Sequence, residues 1–328
     1  MTDDVPKIEL HLHLEGAAPP AFIKGLAQEK SIRLDGVFSE NGSYAFTGFE
    51  QFLRTYEAAT SVLKTPEDYA RLTRAVLEQS AEQGVIYTEA FLSPDFCGGR
   101  DVGAWREYLA AMQEAAAGMR NEAGIVLRGV VTCIRHFGPE KARETALCAA
   151  ETAGDFITGF GIAGDEMAGK PADFAYSFDM AREAGLELTA HAGEWGGASS
   201  VRDALRDLKP TRIGHGVQVI DDPVLVDHLI ETGVTLEVCP GSNIALGVYP
   251  SWDKHPIETL RSAGVRVTVS TDDPPFFHTT LRREYDRLAD TFGWDDEIVR
   301  EVNRTAAQAA FCDPETRAEL LLKLESTA

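Results

Sequence analysis

Four short segments carry residue types that can do chemistry together. "ELHLHLEG" presents His11 and His13, "AHAGEW" presents His191 and Glu194, "GHG" presents His215, and "STDDP" presents Asp272 and Asp273. Neutral imidazoles with one anionic oxygen suit zinc, a borderline ion that accepts nitrogen and oxygen donors. His11 and His13 stand at i and i+2, so on an extended strand both rings point to one side. With His191 and Asp272 they make a donor set for one zinc ion per chain that still leaves a position for water. Zinc lowers the pKa of such a water from ~15.7 to about 7. Glu194, three residues after His191, is placed to donate or shuttle a proton. His215 and Asp273 are placed to orient the attacking oxygen or to bond substrate. An HxH pair alone is a weak signal, but the same pair joined by His and Asp from later segments is specific.

These residues fall at the ends of β-rich runs, at 7–11, 85–91, 126–133, 156–162, 186–190, 212–215, 235–238 and 265–270. Amphipathic segments lie between them, at 66–83, 102–122, 139–152, 173–183, 200–208, 223–231 and 256–262. Several end in "EQGV", "EAGI", "REAGL", "ETGV" or "SAGV", where glycine supplies a left-handed cap before the next strand. Eight strands alternating with helices predict an α/β chain folded as a (β/α)₈ TIM barrel, whose active site is built where the strands end. The interval of about seventy residues after the first strand is too long for one crossover and predicts extra helices. Within it, Phe49, Phe52, Leu53 and Tyr56 fall at i, i+3, i+4 and i+7, a stripe that reads as core packing rather than as a lid. After Asp273 the chain reads as two or three capping helices.

Composition narrows the function classes. The 328 residues, 44% hydrophobic, read as a single barrel domain over 1–328. Lys and Arg number 31 against 52 Asp and Glu, a net charge of −21, and such a field repels phosphate backbones and anionic lipids. Neither nucleic acid nor membrane is expected as a partner. The five cysteines, Cys97, Cys133, Cys148, Cys239 and Cys312, are scattered without a CxxC pair, which argues against a disulfide framework or thiolate zinc site. The acidic "MTDDVPKIEL" has no signal-peptide core, and no run reaches membrane-span length, so a cytoplasmic enzyme is expected. Of the remaining histidines, His228 reads as a solvated helix residue and His255 as a helix N-terminal feature. His136 and His278 follow strands on the active face, with structural or pocket-lining roles.

In order along the chain, "ELHLHLEG", "GIAGDE", "HAGE", "RIGHG", "LEVCPGSN" and "STDDP" resemble the motifs of the adenosine/adenine deaminase family, a branch of the amidohydrolase superfamily. The resemblance runs from about residue 7 to 311. It implies that His11, His13, His191 and Asp272 hold zinc, that Glu194 protonates purine N1, and that His215 orients or deprotonates the attacking water. It further implies that Asp273 meets purine N7 and the backbone at Gly164 meets N3. An aminopurine is a poor electrophile until protonated, and ammonia leaves only from a tetrahedral C6, so a metal and a buried acid address both barriers. The zinc deaminases acting on cytosine in nucleic acid carry H-x-E and P-C-x-x-C instead, and this chain has neither.

Two positions depart from the adenosine pattern. Glu15 stands where adenosine deaminases usually place Asp against the ribose 5′-hydroxyl and adenine deaminases often place Glu. Gly241, in "CPGSN", stands where the family commonly has Thr. "GIAGDE" and "RIGHG" resemble the nucleoside enzymes, so the expected substrate is a small purine nucleoside, adenosine or 2′-deoxyadenosine. Free adenine, or another aminopurine nucleoside such as aminodeoxyfutalosine, is the alternative. Hydrolysis of a cyclic amide, or purine binding without catalysis, fits the "HAGE" acid and the paired aspartates less well.

Overall fold

The structure, a computed structural model, describes residues 5–326; the acidic residues 1–4 read above and residues 327–328 lie outside the described residues. Eight parallel strands run β1 (Lys7–His13), β2 (Val85–Leu92), β3 (Val126–Ile134), β4 (Ile157–Ala163), β5 (Glu187–Ala192), β6 (Arg212–His215), β7 (Thr235–Val238) and β8 (Arg266–Val269). Each pairs with the next in sequence order, the arrangement of a (β/α)₈ TIM barrel. β1 reaches His13, two residues beyond its expected end, so both histidines of the HxH pair stand on the strand itself.

The seam between β8 and β1 is closed just beyond β8. Asp272 donates its N–H to the His11 carbonyl at 3.1 Å, and His13 donates to the Asp272 carbonyl at 3.0 Å. Side chains complete the join: Leu10 N–H donates to Ser270 Oγ at 3.3 Å, and Ile8 N–H donates to Asn303 Oδ1 at 2.7 Å. Thr271 donates its N–H and its hydroxyl to Glu9 Oε1, at 2.9 and 2.6 Å.

The outer helices carry their own start and stop signals. Thr65 and Asp68 form a capping box at the start of the helix Pro66–Glu82. Gly124 and Gly233 end the helices Val102–Ala123 and Pro223–Thr232 in the left-handed conformation expected of that punctuation. Extra helices Pro20–Glu29 and Phe49–Thr60 fill the long interval after β1. The tail forms three, Leu281–Phe292, Asp296–Ala309 and Pro314–Ser326. The last two close the N-terminal end of the barrel, where Ala306, Ala307, Leu320 and Leu324 pack on Ile8, Leu10 and Tyr87. A six-residue helix after β7, Pro240–Ala245, was not expected, because a proline, a glycine and a serine within one and a half turns leave no periodicity to read. Among the described residues, no helix is long and apolar enough to cross a membrane.

Charge, not hydrocarbon alone, fills the barrel interior. The Arg212 guanidinium is 1% exposed and lies 2.6 Å from Glu89 Oε2 and 2.6 Å from Glu237 Oε1. It also donates to the Ala309 carbonyl at 3.0 Å and stacks 3.4 Å over the Phe311 ring. Two buried carboxylates share this one cation, and removing it leaves both uncompensated. Arg212→Met is expected to lower unfolding stability by about 3–5 kcal/mol, measured by urea denaturation of the zinc-supplemented protein.

Candidate functional site

The barrel mouth brings together all nine residues singled out from the sequence. His11 and His13 leave β1, His191 leaves β5, His215 ends β6, and Asp272 and Asp273 follow β8. His13 Nε2 lies 3.3 Å from His191 Nε2 and 3.2 Å from Asp272 Oδ1, and His11 Nε2 lies 3.5 Å from Asp272 Oδ1. A tetrahedral zinc with bonds of about 2.0–2.1 Å sets its donors roughly 3.4 Å apart. The donor spacing therefore matches the polyhedron of such an ion. His11 Nε2 is also buried without a hydrogen-bond partner, the mark of a lone pair reserved for something else. His215 Nε2 lies 3.9 Å from Asp272 Oδ2, and donor atoms of His11, His191, His215 and Asp272 all lie within 4.8 Å of one another, whereas His13 groups with Asp272 and Asp273.

Second contacts fix two of the donors. Glu237 Oε2 holds His11 Nδ1 at 2.8 Å, which turns Nε2 into the mouth. The Ser242 hydroxyl donates to Asp272 Oδ2 at 2.7 Å and leaves Oδ1 facing the imidazoles. Asp272 and His215 both sit at left-handed backbone angles, φ 66° and 59°, which non-glycine residues tolerate only where the surroundings enforce them. Burial holds the His13, His191 and His215 rings below the usual imidazole range, His215 at about 3, so they present neutral nitrogen. His11 differs: burial pulls it down, but the neighbouring carboxylates of Asp272 and Glu237 outweigh that and hold it at about 9. A proton and a metal ion thus compete for the same nitrogen.

Beside the donors opens a cavity of about 700 Å³, counting its mouth. Glu15, Gly164, Glu194, His215 and Asp273 all line it. Burial drives the Glu194 carboxyl well above its usual range, with the charges of Asp272 and Glu166 adding to the effect. Burial thus favours its protonated form. Asp273 is raised well above its range in the same way, by burial first and then by Asp272, Glu15 and Glu194. Its Oδ1 has no hydrogen-bond partner, and a Cβ on Gly16 would stand 1.5 Å from it, so the glycine of "HLEG" is what admits this carboxyl. Gly164, at φ 91°, likewise has no room for a Cβ, which would meet His136 Nδ1 at 2.8 Å. Glu15 is lifted by burial to about 7 and accepts a hydrogen bond from Tyr69 at 3.0 Å.

Several contributors escaped the sequence reading. Glu166, quoted within "GIAGDE" but given no role, accepts the backbone N–H groups of Gly193, Glu194, Trp195 and Gly196 at 2.5, 3.1, 2.6 and 3.1 Å. One carboxylate thus shapes the whole turn that presents Glu194. Arg135 donates to the His191 carbonyl at 2.8 Å from the other side. The short helix Pro240–Ala245 supplies Ser242 and Asn243. Gly241 has a reason to depart from Thr, since a Cβ there would lie 2.1 Å from Glu284 Oε1, and its N–H donates to Glu284 Oε2 at 2.9 Å. Within the stripe, Phe52 packs on Phe276 and Phe277 and Tyr56 on Phe276, and all four side chains, Phe49, Phe52, Leu53 and Tyr56, wall the cavity. Reading it as core alone was incomplete, because periodicity does not reveal what lies opposite. His136 lines the cavity, whereas His228 and His278 are exposed.

Comparison with known proteins agrees with this geometry and corrects the substrate. The chain is 48% identical to an adenine deaminase of Rhizobium rhizogenes over 328 residues, covering 99% of this chain and 100% of that one. It is 48% identical to an adenine deaminase of Agrobacterium fabrum, covering 99% of each. The crystal structure of adenine deaminase from Arthrobacter aurescens superposes with a TM-score of 0.90 at 30% identity, covering 98% of both chains. A zinc-bound amidohydrolase from Burkholderia ambifaria shares the fold at TM-score 0.87 and 24% identity, over 99% of this chain and 92% of that one. These full-length relatives overturn the expectation of adenosine or 2′-deoxyadenosine. "GIAGDE" and "RIGHG" carried that expectation, whereas Glu15 was the departure that pointed to the free base. A family model described as Adenosine deaminase matches residues 6–327, and the chain belongs to that family of hydrolytic deaminases.

Proposed function

We propose that this chain hydrolyses the exocyclic amine of free adenine, adding water at C6 and releasing ammonia to leave hypoxanthine. The observation that carries the reading is the end-to-end likeness to adenine deaminases at 48% identity. Glu15 supplies a physical account. A free base bears an N–H on its imidazole ring where a nucleoside bears the sugar, and a buried carboxyl in the cavity accepts that hydrogen bond. The extra methylene relative to Asp brings the carboxyl further into the space a ribose would need.

His11, His13, His191 and Asp272 are the proposed holders of one zinc ion, supported by their donor chemistry and spacing. Bound there, zinc supplies a Lewis acid that makes water nucleophilic at neutral pH. Glu194, kept protonated by burial, donates to ring N1 and draws electron density from C6. His215 and Asp273 border the place from which water attacks. The Asp273 carboxyl, neutral in its buried setting, is a donor for purine N7, and the backbone at Gly164 meets N3. As water adds to C6, Glu194 recovers its first proton and passes it to the departing nitrogen, so that ammonia rather than amide ion leaves; the second proton, lost from the C6 hydroxyl as the carbonyl forms, restores the Glu194 acid.

Ammonia release from a panel of adenine, adenosine, 2′-deoxyadenosine and aminodeoxyfutalosine tests the substrate. Adenine is expected to give the highest kcat/KM, and a nucleoside preferred over adenine would defeat the proposal. Glu15→Asp is expected to shift the adenine-to-adenosine ratio of kcat/KM towards adenosine by about tenfold or more, read on the same two substrates. Ser242→Ala removes the bond that orients Asp272 and is expected to weaken zinc affinity by about 10–100-fold, measured by chelator competition on the folded protein.

A further inference from the structure

One buried chain of hydrogen bonds lies behind the site and leads away from it into the main chain. The Ile257 N–H points at His255 Nδ1 at 3.3 Å, and His255 Nε2 lies 3.1 Å from Asn243 Oδ1. The Asn243 amide nitrogen lies 3.3 Å from Glu194 Oε1 and 3.4 Å from His215 Nδ1. Every side chain in this sequence is buried.

We infer that His255 is a positioning residue which, through Asn243, dictates the direction of the hydrogen bonds reaching Glu194 and His215 and sets His215 in the tautomer protonated on Nε2. The inference rests on the roles proposed above for Glu194 and His215. Its logic starts from a group with no choice. A backbone N–H only donates, so His255 Nδ1 must offer a lone pair, and the single proton of the neutral ring stands on Nε2. Burial keeps that ring neutral, its pKa pushed down to about 3. The Nε2–H then requires an acceptor, which orients the Asn243 amide with Oδ1 towards His255 and both N–H bonds towards the site. The flipped amide would set donor against donor at His255.

Two consequences follow for the reaction. An amide N–H facing His215 Nδ1 makes that nitrogen an acceptor, so Nε2–H is what His215 offers at the barrel mouth. His215 therefore orients the attacking water by donating to its oxygen and does not act as the base. The second N–H caps Glu194 Oε1 as the carbonyl-type oxygen, which places the acidic proton on Oε2 for delivery to the ring. The direction of every bond in the chain traces back to one main-chain amide.

The tautomer is directly observable. Long-range ¹H–¹⁵N spectra of zinc-loaded protein carrying ring-¹⁵N histidine, with His215 assigned by its loss in His215→Asn, are expected to show His215 and His255 protonated on Nε2. A His215 proton on Nδ1 overturns the inference. Kinetics give a second reading: His255→Leu is expected to lower kcat by about 10–100-fold, with KM within about twofold and zinc content unchanged. His255→Gln, whose amide can still donate to Asn243 Oδ1, is expected to recover most of that loss. Wild-type kcat in His255→Leu, or a Gln variant no better than Leu, overturns it. Should His255→Leu fail to fold, near-isosteric Asn243→Asp removes the same donors, and an undiminished kcat there overturns the inference equally. A wild-type chain silent on adenine but with His215 protonated on Nε2 sinks the substrate proposal and supports this one.

Discussion

Arg212 is the point on which the rest of the barrel mouth leans. Its guanidinium gathers Glu89 and Glu237 in the interior, and Glu237 passes the constraint on by holding His11 Nδ1. Taking one cation and two carboxylates out of water costs several kcal/mol per ion, and only close, well-directed pairing offsets that. An apolar core of equal volume would be no less stable, but it could not orient an imidazole. The charge in the interior is thus best understood as the lower part of the site. The aromatic face of Phe311 covers the guanidinium, and the tail helices close that end of the barrel on Ile8, Leu10 and Tyr87.

Above that base, the side chains that line the cavity are held by acceptors and donors from distant loops. Glu166 gathers four amides of the Glu194 turn, Ser242 orients Asp272, and Asn243 reaches both Glu194 and His215. Glu194, Asp273 and Glu15 are all lifted by burial. A pocket lined with carboxyls that keep their protons suits a neutral, nitrogen-rich aromatic ring, because each acid can donate to a ring nitrogen or accept from a ring N–H as required.

The architecture and the donor set were legible because they obey short periods. Strand alternation put His11 and His13 on one side, and the recurrence of strand, helix and glycine fixed the barrel and its order. The supporting residues were illegible for a physical reason: their partners are distant in sequence and their own segments too short to show a pattern. Glu166 acts on a turn 27 to 30 residues later, and Ser242 on a carboxylate 30 residues later. Asn243 stands on a six-residue helix that has no periodicity of its own. His255 was read as a helix N-terminal feature, and it does accept from the Ile257 amide, but nothing local shows that its other nitrogen faces Asn243. The substrate was misjudged because two motifs resembling the nucleoside enzymes outweighed the single departure at Glu15.

The seam between the first and last strands carries a further consequence, for how the molecule comes into being. His11 and His13 exchange main-chain hydrogen bonds with Asp272, and Glu9 accepts from Thr271, 262 residues away. During synthesis the first strand must wait, with two imidazoles of the proposed metal site already in place, until nearly the whole chain has emerged. Joining segments so remote is among the slowest steps open to a folding polypeptide. Assembly of the site and closure of the barrel are consequently one event. A nascent chain offers an incomplete set of ligands, and the full set exists only in a molecule that has finished folding.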